Sequence, residues 1–188
     1  MLWFMDVFSA IENRRSIKPL DLSDAPVPRD LIQKVLDAAN WAPSHRHTEP
    51  WRFKVYLGDA RIRLAEAVAS TLPASESSKA ATTIKKMTHA PVIIAIVCHQ
   101  SPLPKVIPHE EIASTAMAVQ NLHFAARALD LGGFWSSGNK AFHENVSKFL
   151  ELQSNEQCLG FFYLGYPQID WPKSSRGPIE NKVEWFNK

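Results

Sequence analysis

"PVIIAIVCH", residues 91–99, decides the fold. Val92 to Cys98 is an unbroken apolar run, mostly β-branched, and β-branched side chains favour a pleated strand. It lacks the polar alternation of a strand with one wet face. A strand apolar on both faces has to be covered on both. The run therefore predicts a central sheet with helices above and below it. "CLGFFYLGYP", residues 158–167, reads the same way, as a second buried strand.

Outward from these strands, helical and extended stretches are interspersed. Residues 6–14 read as a short helix with Val7, Phe8 and Ile11 on one face. The three prolines of "SIKPLDLSDAPVPRD" mark extended loop. Pro28 suits the start of a helix in which Leu31, Ile32, Val35, Leu36 and Ala39 keep a 3.6-residue period up to Trp41-Ala42-Pro43. "RFKVYL" (52–57) alternates as a strand before Gly58. Residues 60–72 and 76–88 read as helices divided at Pro73, and 109–131 as the longest helix. That helix is apolar nearly all round and rich in alanine, as a central helix with close backbone neighbours should be. "GGFWSSG" (132–138) reads as a short strand or turn, and residues 143–150 as a last helix. The sum is α+β, three layers around a central sheet, in a single domain spanning residues 1–188.

Composition excludes several classes. A chain of 188 residues, 45% hydrophobic and 21% charged, is globular and large enough to fold around its own core. A net charge of +2 does not argue for nucleic acid, and no apolar run nears the ~20 residues of a membrane span. The first residues are apolar but have no basic lead and no small-residue cleavage site, so they make a poor signal peptide. Cys98 and Cys158 are far apart, without a CxxC, and read as buried thiols in a reducing compartment. The expectation is a cytoplasmic protein.

Four short stretches carry chemistry. "NRRSIKP" (13–19) gathers three cations and a hydroxyl, which can grip phosphate or carboxylate or can simply offset a helix dipole. "WAPSHRHTEPW" (41–51) packs apolar walls beside hydrogen-bonding groups. "GGFWSSG" offers two serines and a backbone that a flat ligand can approach, or a tight turn with Trp135 in the core. "SSRGP" (174–178) adds a cation and hydroxyls. His45 and His47 are weak evidence for metal, and no metal site is expected. There is no GxGxxG, Walker loop, HExxH or GxSxG, and no base is locked to a nucleophile. An enzyme with this sequence would leave the chemistry to a cofactor.

In this order the stretches resemble the FMN-dependent nitroreductase family, most closely its small single-domain members. Arg14 to Lys18 is similar to the family's RRSxR opening. Ala42-Pro43-Ser44 with Glu49-Pro50-Trp51 resembles its APS…(N/Q)PW segment. Residues 125–138 resemble its AAxALGLGxxW region, residues 161–167 its closing strand and GYP, and Arg176-Gly177-Pro178 with Trp185 its tail. The resemblance spans about residues 11–185.

The resemblance implies a three-layer α-β-α sandwich with a mostly antiparallel sheet. It implies FMN as cofactor, NADH or NADPH as hydride donor, and a homodimer with shared active sites. Arg14, Arg15, Ser16, Lys18 and Arg176 would hold the flavin phosphate and ribityl chain. Trp41, Pro43, Ser44 and His45 would line the flavin, often from the partner subunit. Trp135, Ser136 and Ser137 would lie along the ring or its pyrimidine edge. No catalytic side chain is implied, because hydride passes through flavin N5. The implied reaction is ping-pong reduction of nitroaromatics, quinones or activated alkenes. The alternatives are a non-catalytic flavin-binding protein and another flavin reaction, such as dehalogenation or flavin fragmentation. Lys18 stands where the family has Arg, and Glu49 where it has Asn or Gln, either near the flavin or paired with Arg46 or Arg52.

Overall fold

The computed structural model describes residues 5–187. The reading of the first apolar residues therefore lies, for residues 1–4, outside the described residues.

The 91–99 run forms β2 (Val92–His99), and every residue from Val92 to Cys98 is buried. β2 is antiparallel to β1 (Trp51–Tyr56) on one side and to β4 (Glu156–Gly165) on the other. β3 (Gly132–Ser136) pairs antiparallel with β4, giving the order β1-β2-β4-β3. Alternation along β2 splits its side chains between two cores. Val92, Ile94, Ile96 and Cys98 pack beneath α2 (Arg29–Asn40) and α5 (Pro108–Ala128), against residues such as Ile32, Val35, Val119 and Leu122. Ile93 and Ala95 pack on the opposite face with α3 (Ala60–Ala69), α4 (Ser77–His89) and α6 (Glu144–Phe149), through Leu64, Val68, Met87 and Val146. The double covering inferred from one apolar run is present, and the three layers follow from it.

Helix bounds fall close to the periodic pattern. α5 ends at Ala128 rather than at 131, because the chain leaves the helix at Leu129 and Leu131 is already buried beside β3. α1 (Val7–Asn13) is capped by the Asp6 carboxylate, which accepts from the Phe8 and Ser9 amides. Its apolar stripe points outward: Val7, Phe8 and Ile11 are exposed and Ala10 is the buried residue.

One irregularity shapes the site. β2 and β4 shift register between Ile96 and Val97, and Gly160 stands at that shift with φ of 126°. A Cβ on Gly160 would lie 2.3 Å from the Ser136 carbonyl oxygen. The end of β3 rests on bare backbone at this point.

Cys98 and Cys158 are both free and buried, in the two different cores. Burial pushes the Cys158 thiol up to about 11, so it is inert at neutral pH. Among the described residues no helix is long and apolar enough to cross a membrane. No group of three or more His, Cys, Asp or Glu among them is placed to hold a metal.

Candidate functional site

The chain leaves α1 at Arg14 in extended conformation. Ser16 then forms a parallel bridge to Gly133, and the Ile17 amide donates to the Gly133 carbonyl at 3.1 Å. Ile17 is fully buried and pins this short edge against β3. Alternation turns its neighbours Ser16 and Lys18 outward, and both are exposed. The Arg14 guanidinium reaches the Ser16 hydroxyl at 3.5 Å.

Arg15 donates to the carbonyls of Pro172, Glu12 and Arg14 at 2.7–2.8 Å. That clasp brings the C-terminal segment over α1. Ile11, Glu12, Arg15, Ser174, Ser175 and Arg176 line a concavity of ≈ 360 Å³ there. Arg176 donates to the Ser174 hydroxyl at 2.8 Å and the Ser175 carbonyl at 3.0 Å. Partial burial, and then the nearby charges of Arg176 and Arg15, hold the Arg14 guanidinium below its usual pKa. Among the described residues none of the three arginines has a carboxylate partner. Three clustered cations with no ion-pair partner form a ready site for an anion.

About 10 Å further along β3, three residues at about 3.3 Å each, the strand ends at Ser136. Ser136 and Gly138 line a second concavity of ≈ 360 Å³ with Thr83, Lys86, Asn139 and Lys140. Its walls are apolar, from Val68, Met87, Phe161 and Tyr163. The Lys86 ammonium stands 5.5 Å above the Phe134 ring, and Lys140 donates to the Thr83 hydroxyl at 2.8 Å. Burial, then the charges of Lys86 and Lys79, lower the Lys140 pKa, with Glu76 opposing. Nothing in the sequence singled out Lys86, Lys140 or Thr83. Lysines on an amphipathic helix look like a solvated face, and Lys140 meets Thr83 only through the fold.

Trp135 points to the other face of β3 from Phe134. It packs against the α2/α5 core, with its indole N–H buried and without a partner beside Gly160. His123 of α5 lies under the other end of β3, where a Cβ on Gly133 would stand 3.2 Å from its Nδ1, and its ring is edge-on to Phe162 at 4.7 Å. Its Nδ1 is buried without a partner. Burial, with Arg14 adding to it, pushes its pKa down to about 4, so the ring is neutral.

The 41–51 segment divides. Trp51 is buried at the start of β1 and donates to the Asn40 side chain at 3.0 Å, whereas Trp41 is 87% exposed. Pro43, Ser44 and His45 line a separate concavity of ≈ 320 Å³ against Ala113, Ser114 and Met117 of α5. The fold thus joins Arg14, Arg15, Ser16 and Arg176 at one end of β3 and places Ser136 and Ser137 at the other. It does not bring Pro43–His45 into either concavity. Glu49 is exposed, and Arg52 donates to its carbonyl, not its carboxylate.

Comparison with known proteins gives the family and the fold. The model of the nitroreductase family matches residues 11–166. A protein of Escherichia coli strain K12 named as a candidate NAD(P)H nitroreductase, YdjA, is 32% identical over 167 residues, covering 88% of this chain and 90% of that one. A nitroreductase-like family protein from Bacillus cereus superposes with a TM-score of 0.91 at 27% identity over 100% of both chains. A candidate nitroreductase from Desulfovibrio desulfuricans, solved in complex with FMN, gives a TM-score of 0.77 at 25% identity, covering 97% of this chain and 98% of that one.

Proposed function

The chain belongs to the nitroreductase family, and on that footing we propose that it is an FMN-dependent NAD(P)H oxidoreductase reducing small planar acceptors by ping-pong hydride transfer. One observation carries the reading: an unpaired arginine cluster and an apolar-walled, lysine-bearing concavity lie at the two ends of one short strand. FMN has that shape, a phosphate at one end and a flat ring at the other. Arg14, Ser16 and Arg176 would take the phosphate, with Arg15 holding the C-terminal segment in place. Ser136, Ser137 and Gly138 would meet the ring. Lys86 and Lys140 would put positive charge at the ring end, which favours electron gain. When bound, the flavin supplies hydride acceptance and donation at N5.

The concavity of Pro43, Ser44 and His45 faces outward on the α5 side. Trp41, Met117, Val7, Phe8, Trp185 and Phe186 are exposed apolar side chains of the same monomer. These support a homodimer in which the 41–51 segment of one copy covers the flavin held by the other.

An absorbance spectrum of the purified protein reconstituted with FMN, followed by anaerobic NADH or NADPH, tests the proposal. Flavin bands that bleach with either nucleotide and return on adding a quinone or nitroaromatic are the expected result. No flavin binding at micromolar FMN overturns it.

A further inference from the structure

The loop Ser44–Glu49 is held in an unfavourable shape. Arg46, His47 and Glu49 have φ of 55°, 54° and 46°, left-handed values that side chains with a Cβ rarely adopt. Three in four residues persist only where surrounding contacts impose them. Within the loop, the Glu49 amide donates to the Ser44 hydroxyl at 3.1 Å, and the Thr48 amide donates to the His45 carbonyl at 3.3 Å. Two side chains tie the loop to the rest of the molecule: Arg52 of β1 donates to the Glu49 carbonyl at 2.7 Å, and Glu111 reaches the loop from α5. Glu111 is 1% exposed in the first turn of α5. One oxygen accepts from the Thr48 hydroxyl at 2.6 Å and the other from the Ser101 amide at 2.9 Å. It has no cation partner among the described residues. A buried carboxylate without a counter-charge has to be held by hydrogen bonds, and these two join the 44–49 loop and the loop after β2 to one helix end.

We propose that Glu111 is the positioning residue for the active-site loop: it fixes the left-handed course of residues 44–49 and so sets where Pro43, Ser44 and His45 stand. The role of those three residues rests on the flavin reading above; the shape of the loop does not. Glu111 itself touches neither flavin nor acceptor.

The test uses the full-length protein with Glu111→Ala, Glu111→Gln and Thr48→Val. Gln preserves both contacts, since its carbonyl accepts from the Ser101 amide and its amide donates to the Thr48 hydroxyl oxygen. Trypsin cleavage after Arg46, followed by mass spectrometry against cleavage after exposed Lys173, reports loop opening without any flavin. Cleavage after Arg46 should quicken about tenfold in Glu111→Ala, the loss of one charge-assisted bond. It should stay within about twofold of wild type in Glu111→Gln, where both bonds persist. In the FMN-loaded enzyme the acceptor KM should rise about tenfold in Glu111→Ala with kcat nearly unchanged, and Gln should restore it. Should Glu111→Ala fail to fold, Thr48→Val removes the loop-side bond, together with the longer hydroxyl contact to the His45 carbonyl at 3.2 Å, and should show the same two effects. Wild-type cleavage rates in Glu111→Ala or Thr48→Val, or Gln behaving as Ala, overturn the proposal. A loop that opens while acceptor KM stays constant overturns its functional half. A wild-type protein that binds no FMN refutes the flavin reading alone, and the cleavage ratios still decide the role of Glu111.

Discussion

Gly160→Ala should damage the candidate site more than any comparably small change near it. The new Cβ would stand 2.3 Å from the Ser136 carbonyl oxygen, 2.9 Å from the Ser137 Cα and 2.9 Å from the Trp135 indole nitrogen. Two of the three are backbone, so relief requires β3 to move off β4 by roughly 1 Å, the shortfall from ordinary contact at about 3.5 Å. Alanine must also adopt φ of 126°, a conformation costing on the order of 1–3 kcal/mol. Overpacking adds about 1–3 kcal/mol. The total, about 2–6 kcal/mol, is a large share of the 5–15 kcal/mol typical of a domain. Two neighbouring tests calibrate it. Gly58→Ala meets nothing within 4 Å but has φ of 50°, and should cost about 1 kcal/mol. Gly138→Ala has open space and ordinary extended φ, and should be neutral within about 0.5 kcal/mol. Urea unfolding ranks the three, and FMN titration of the folded fraction reads the site. Because Ser136 and Ser137 move with β3, FMN affinity should fall in Gly160→Ala and hold in Gly58→Ala, which lies outside the candidate site. Gly160→Ala with wild-type stability and FMN affinity would refute the claim that bare backbone at residue 160 sets the end of β3.

Three further outcomes follow from the site. Arg14→Ala and Arg176→Ala should each weaken FMN binding roughly 10- to 100-fold, the range for a lost charge-assisted hydrogen bond, measured by fluorescence titration; unchanged affinity in both would remove the phosphate from this cluster. Lys86→Met should lower the flavin midpoint potential by roughly 30 mV, the two-electron equivalent of about 1.4 kcal/mol, read against redox dyes, and a potential that does not fall places the ring elsewhere. His123 gives a pH signature. Its folded pKa of about 4 lies below the unfolded 6.5, so the unfolded chain binds the proton first and stability falls as pH drops from 6.5 towards 4. The loss between pH 7 and pH 5 is about 2 kcal/mol. His123→Leu should flatten that part of the urea-midpoint profile, and an unchanged slope would mean that the histidine takes its proton in the native state.

Legibility from sequence depended on whether a residue's neighbours in the fold were also its neighbours in the chain. β2 was readable because burial on two faces writes itself into consecutive residues, and both cores follow from its alternation. The arginine cluster was half readable: Arg14 and Arg15 are adjacent, whereas Arg176 joins only because Arg15 clasps the Pro172 carbonyl. Trp41 and Trp51 look alike in the same motif, yet one is 87% and the other 4% exposed. Glu111 shows the limit most clearly. In sequence it is an acid in the first turn of a helix, where offsetting the dipole suffices to explain it. Glu110 beside it has the same excuse. Only the fold separates them, by burying one carboxylate against Thr48 and Ser101, 63 and 10 residues away. A local pattern can state that a charge is tolerated at a position. Whether the charge holds a strained loop depends on which distant segments are brought to it, and that information lies in the packing of β2 against α5.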